Sequence, residues 1–297
     1  MNAQIDEALF DSDFLRKLEK LELLARKLFR GLVHGEHLTQ RRGHGLEFTE
    51  FRHYQPGDDL RYIDWNMYAR LDQLFLKLYA SDEDVTLHLL LDCSASMGFG
   101  APLKFDYARK LAAALCYIGL SNLDRVSVRG FSAGTGISPP ILKSKGQMAT
   151  LLPFLRTLSC SDTTGFDSAM REFIERTRSP GIVIVITDLL GDNELINGLE
   201  KLCYGSHDVV LLHLLTEEEI NPPLDGSFNL VDVESRGSLK VTIDAGLRQL
   251  YLSRLRLHLE ELAHFCRLSG IEYLRASTAI PFEDLLLKYL RTGNLWR

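Results

Sequence analysis

Three segments of this chain, residues 85–91, 182–187 and 208–215, are almost continuously aliphatic. They lack the apolar–polar alternation of a strand that shows one face to water. Strands buried on both faces read this way, and they belong to parallel sheets covered by helices on both sides. The intervening sequence supplies those helices. Residues 103–120 carry Ala-rich helical faces, and residues 147–158, 166–178 and 193–204 place apolar residues at helical spacing, while 125–131 reads as a further strand. A long helix is expected over 247–268, stopped by Gly270, followed by a last strand at 271–276 and a last helix at 281–290. Strands at 228–233 and 239–243, around Arg236-Gly237-Ser238, predict a β-hairpin inserted at about 226–243. The expected fold class is therefore α/β, with a doubly wound, mostly parallel sheet of Rossmann type.

Ahead of this region, Phe14, Leu15, Leu18, Leu21, Leu24, Leu28 and Phe29 form a helical stripe over residues 12–32, with Ser12 as the expected N-cap. Residues 74–79 alternate like a half-exposed strand. The expected division is an N-terminal helical and β extension over 1–81 and a sheet domain over 82–297. A chain of 297 residues, 45% hydrophobic, has ample apolar surface for such a core. The net charge of −6 gives no global positive field for nucleic acid. No apolar run reaches the roughly 20 residues of a membrane span, and the acidic N-terminus has no signal-peptide pattern. The five cysteines are scattered and odd in number, which fits free thiols in a reducing cytosol. A cytoplasmic protein is expected.

The chemistry-bearing motif is Asp92-Cys93-Ser94-Ala95-Ser96, at the end of the first buried strand. Three hard oxygen donors at alternate positions make a half-shell for a small divalent cation. Ligands in open parallel sheets sit beyond the carboxyl ends of the strands, and Asp188 leaves the 182–187 strand at that same edge. Thr163 and Thr164 occupy a loop able to face it. Two carboxylates and three hydroxyls form a low-charge oxygen site suited to Mg²⁺ or Mn²⁺ over Zn²⁺. Each residue also has an ordinary structural use: Ser94 and Ser96 as turn caps, Asp188 as an acceptor of backbone amides. The set resembles the metal-ion-dependent adhesion site, MIDAS, of von Willebrand factor type A (vWA) domains. In that resemblance Asp92, Ser94 and Ser96 fall on the D-x-S-x-S run, Thr164 best fits the later Thr, and Asp188 fits the final Asp. It implies that an acidic residue of a partner completes the metal shell. Leu189 stands where the family pattern has Gly.

A second block runs from Gly45-Leu46-Glu47-Phe48 through Arg52, Tyr54, Pro56-Gly57, Asp58, Asp59, Arg61, Asp64 and Trp65 to Ala69-Arg70. Arginines interleaved with carboxylates and aromatics form bidentate pairs and stacks. The block reads as an internal ion-pair network pinning the N-terminal segment to the sheet domain, as a docking face for another protein, or as a phosphate or catalytic site. Together with the D-x-S-x-S-M run ending at Met97, it resembles the bacterial domain-of-unknown-function family fifty-eight. That resemblance implies a vWA-like fold and work alongside MoxR-type AAA+ ATPases, which are thought to act as chaperones in protein maturation or assembly.

Enzyme chemistry has weaker support. Ser94 lies outside a G-x-S-x-G elbow, no phosphate-binding glycine loop is present, and His88 and His213 fall inside apolar strands, where satisfied core histidines are expected. The expected function is metal-dependent protein–protein interaction. A metal-dependent hydrolase using the same carboxylates, and a scaffold without metal, are the alternatives.

Overall fold

The computed structural model describes residues 9–32, 42–55, 58, 60–80, 86–121, 125–132, 136–160, 165–177, 181–189, 194–205, 207–223, 225–233 and 237–292. The chain divides into two compact units, one of residues 1–29 with 85–297, the other of residues 30–84.

The first helix is α1 (Ser12–Leu32). Its cap is Asp11 rather than Ser12, since the Asp11 carboxylate accepts the Phe14 backbone N–H at 2.8 Å. Phe14, Leu18 and Leu21 are buried with Leu285 and Leu286 in the core of the larger unit. The division expected at residue 81 therefore falls differently. The helix packs with the sheet, because its apolar stripe is too wide to leave in water and the sheet offers an apolar face to cover.

The smaller unit pairs β1 (Arg42–His53) antiparallel with β2 (Phe75–Ala80), in a register that sets His53 opposite Phe75. The sequence did not mark β1 as a strand, since its charged residues hide the alternation. Between them α2 (Trp65–Leu71) starts at Asp64, whose carboxylate accepts the Asn66 and Met67 N–H groups at 2.8 and 3.2 Å.

In the larger unit β3 (Thr86–Asp92), β4 (Arg125–Phe131), β5 (Gly181–Thr187), β6 (Asp208–Leu215) and β9 (Glu272–Ser277) form one sheet in the order β4-β3-β5-β6-β9. Every pairing is parallel. Residues alternate between two cores as the strand period requires. Leu87, Leu89, Leu91, Ile184 and Ile186 meet α1, α3 (Lys104–Ser121), α4 (Met148–Thr157) and α9 (Phe282–Thr292). Leu90, Val183, Val185 and Leu211 meet α5 (Phe166–Arg176), α6 (Glu194–Tyr204) and the C-terminal end of α8 (Ala245–Leu268). A one-turn helix, α7 (Glu217–Ile220), follows β6, and the hairpin of β7 (Gly226–Val231) and β8 (Ser238–Ile243) precedes α8.

The chain leaves β3 toward β4 on one side and returns to β5 on the other. The order of connections thus reverses between β3 and β5, and in doubly wound sheets the crevice beyond the strand ends at that reversal is where ligands bind.

The buried histidines separate. His213 on β6 has Nδ1 2.7 Å from the Tyr273 hydroxyl. His88 on β3 is 4% exposed, and among the described residues neither ring nitrogen has a partner, so the expectation of a satisfied histidine fails there. Its ring lies against Phe173 and His207, with centroids 5.2 and 5.9 Å away. Burial, reinforced by the charges of His207 and Arg129, lowers its pKa from 6.5 to about 4. A lowered value means the histidine's contribution is intact above pH 6.5 and is lost as pH falls toward 4. At about 1.4 kcal/mol per pH unit the loss is about 3 kcal/mol. In urea titrations His88→Leu is expected to lose about 3 kcal/mol less than the unmodified protein between those two pH values. Equal losses would remove His88 as the cause.

Candidate functional site

At the β3–β5 reversal the Asp92, Ser94, Ser96 and Asp188 side chains come together, all nearly or fully buried. Asp92 is the last residue of β3. Its Oδ1 accepts the Ser94 backbone N–H at 2.9 Å, an Asx-type turn that bends the chain off the strand, and its Oδ2 accepts the Thr187 hydroxyl at 2.7 Å. Thr187 in turn accepts the Leu189 N–H at 3.1 Å. Ser94 Oγ lies 2.9 Å from Ser96 Oγ, and Ser96 Oγ donates to Asp188 Oδ1 at 3.3 Å. Leu189, which stands where the resembled pattern has Gly, adopts φ 52. A bulky residue in this left-handed region is strained. The Thr187 hydrogen bond and burial of the Leu189 side chain in the core hold it there.

Sequence reasoning missed Lys104. This first residue of α3 is fully buried, and its Nζ donates to Asp188 Oδ2 and to Glu219 Oε1, both at 2.6 Å. Glu219 is held from its other oxygen: Oε2 accepts the Thr216 N–H at 2.8 Å, while the Thr216 hydroxyl accepts the Glu219 N–H at 3.2 Å, a reciprocal capping box at the start of α7. The loop carrying Lys104 fits closely onto this cap. Gly100 has φ +96, and a Cβ there would lie 2.4 Å from Thr216 Cγ2. In the sequence the one available signal was a lysine opening an Ala-rich, buried helix, where a basic residue in the first turn opposes the helix dipole.

The electrostatics are those of crowded carboxylates. Burial raises the Asp92 pKa to about 6, and the neighbouring Asp188 charge adds to this, against the Thr187 and Ser94 hydrogen bonds. Burial also pushes the Cys93 thiol up to about 12, helped by Asp92, so it remains protonated and is no nucleophile. The hard oxygen donors of Asp92, Ser94, Ser96 and Asp188 fit a Mg²⁺-type ion in chemistry. Among the described residues no group of three or more His, Cys, Asp or Glu gathers as metal ligands, so binding would rest on these two carboxylates and the hydroxyls. One oxygen of Asp188 already carries the Lys104 ammonium. Thr163 and Thr164, the alternatives for the last hydroxyl donor, lie outside the described residues.

The charged block belongs to the smaller unit. Arg52 pairs with Asp58 at 2.7 Å, and the other Asp58 oxygen accepts the Gln55 N–H at 2.8 Å. Asp64 caps α2 and pairs with Lys77 at 3.1 Å. The Tyr54 backbone N–H donates to Leu74 O at 2.9 Å. Trp65 is 62% exposed and meets Tyr68 edge-on, and Arg61 and Arg70 are exposed. Asp59, Pro56 and Gly57 lie outside the described residues.

The chain is 27% identical over 274 residues to "Uncharacterized protein Rv1480" of Mycobacterium tuberculosis, covering 90% of this chain and 86% of that one. Among solved structures, it is similar to the conserved hypothetical protein BatB from Bacteroides thetaiotaomicron, at 17% identity and TM-score 0.45, over 70% of this chain and 98% of that one. It is also similar to a von Willebrand factor type A structure from Catenulispora acidiphila, at 12% identity and TM-score 0.40, over 75% of this chain and 44% of that one. The family model described as "Protein of unknown function DUF58" matches residues 50–261, and the chain belongs to that family.

Proposed function

We propose that this protein is an interaction module, not an enzyme, whose oxygen cluster takes up Mg²⁺ or Mn²⁺ and recognises an acidic residue of a partner protein. The convergence of Asp92, Ser94, Ser96 and Asp188 at the β3–β5 reversal carries this reading. Thr164 is proposed as the remaining hydroxyl donor. Thr187 and the Ser94 N–H fix the Asp92 carboxylate, so it is oriented before any ion arrives. Bound there, the ion would supply a partly neutralised positive charge for an external carboxylate. The partner class is a MoxR-type AAA+ ATPase in protein maturation or complex assembly, in the cytoplasm. Among the described residues no helix is long and apolar enough to cross a membrane.

Co-purification of a MoxR-type ATPase with the full chain tests this. Capture is expected in Mg²⁺, and is expected to fall at least tenfold in EDTA or with Asp92→Ala. Capture indifferent to both would overturn the reading. The Lys104–Asp188 ion pair favours a second reading, a scaffold that works without metal.

A further inference from the structure

We infer that Lys104 is a built-in cation that closes the oxygen cluster, and that the ammonium and a divalent ion exclude one another at Asp188. The inference rests on the reading of this cluster as a cation site. Lysine is almost never fully buried without partners, and the two carboxylates here meet that need. The contacts are also placed for competition. Asp188 presents one oxygen to Ser96, a proposed donor, and the other to the ammonium. Two cations on one carboxylate, in a site whose side chains are at most 5% exposed, repel strongly. Entry of a divalent ion would therefore drive Lys104 out.

The surroundings allow that exchange without opening the core. Lys104 follows a solvent-facing segment in which Phe99 is 45% and Leu103 43% exposed. The ammonium lies 5.9 Å from the Phe99 ring centroid, so a swing outward follows an aromatic face already beside it. Departure of Lys104 also frees one oxygen of Glu219, whose side chain is 14% exposed at the same rim. Metal loading would thus change the charge pattern a partner meets: an ammonium exposed, a carboxylate released, and the 99–103 segment loosened from the Thr216 cap. Lys104 and Glu219 make cation occupancy visible at the surface.

Calorimetric titration of the full chain with MgCl₂, beside Lys104→Met, provides the test. Lys104→Met is expected to bind Mg²⁺ at least tenfold more tightly, since its competitor is gone. Its melting temperature should lie below that of the unmodified protein in EDTA and recover in Mg²⁺, because Asp188 and Glu219 otherwise lose their shared cation. Equal affinities in the two proteins would overturn the inference and leave the metal reading standing. Binding by Lys104→Met alone would support Lys104 as the excluding cation and overturn metal use by the native protein. Binding by neither would overturn both. Should the variant not fold, hydrogen exchange on the unmodified protein decides. Saturating Mg²⁺ is expected to speed exchange of amides in 99–104 and 216–220, and unchanged protection there would overturn the exchange of cations.

Discussion

In EDTA, Asp188→Asn is expected to destabilise the protein by about 3–5 kcal/mol, while the same change at Asp92 is neutral or stabilising by about 1–3 kcal/mol. The two residues are alike in burial and lie in one cluster, so the contrast isolates what differs between them. Asp188 holds the ammonium of Lys104 at 2.6 Å. Removing its charge leaves a buried cation with Glu219 alone, and breaking one side of a buried pair is costly because the remaining charge stays dehydrated. Among the described residues Asp92 has no cationic partner. Its value of about 6 means that ionisation near pH 7 works against folding by about 3 kcal/mol relative to the usual 3.8. Asparagine keeps the acceptor for the Ser94 N–H and removes the repulsion with Asp188. Because the Asp92 value is raised, its penalty is absent below about 3.8, builds as pH rises from 3.8 to about 6 and levels off above, so the Asn variant's advantage should be larger at pH 7.5 than at pH 5. Urea denaturation at pH 5 and pH 7.5 measures it. Equal losses from both substitutions would mean that Lys104 does not discriminate between the carboxylates.

The fold was open to sequence reading wherever burial on two faces leaves an unbroken apolar run. Residues 125–131 and 208–215 match β4 and β6 to the residue, and the other strands of the larger sheet shift by a residue or so. The rim of the site was open for the same reason, since Asp92 and Asp188 punctuate two such runs. Lys104 and Glu219 were not. A lysine at the start of a helix and a glutamate in Glu217-Glu218-Glu219 resemble solvated charges, and only the turn of α3 against α7 brings them together across 115 residues of chain. The β1 strand was concealed by the charges of the block it belongs to. Periodicity also identified α1 without saying what it would cover. An amphipathic stripe specifies that a helix must be buried on one side, not which partner buries it.

Phe14→Ala addresses that last point, and is expected to cost about 3–5 kcal/mol, well beyond the effect of a change on a helix that merely precedes a domain. Phe14 is 3% exposed, and its ring centroid lies 5.1 Å from that of Phe10 and 5.4 Å from that of Phe282 on α9. Truncation removes the middle ring of these three and leaves a cavity that its packed neighbours cannot fill. Lys17 reinforces the same seam, pairing with Glu283 at 2.7 Å. That pair is partly exposed, and Lys17→Ala is expected to cost no more than about 1 kcal/mol. Thermal melts of both variants measure the two effects. A Phe14→Ala protein that melts within two degrees or so of the unmodified chain would show that α1 is an appendage. A large loss would make it a structural part of the sheet unit. Fragments that begin after residue 32, such as one cut at the charged block, should then expose the apolar face that Phe14, Leu18 and Leu21 cover, and should aggregate.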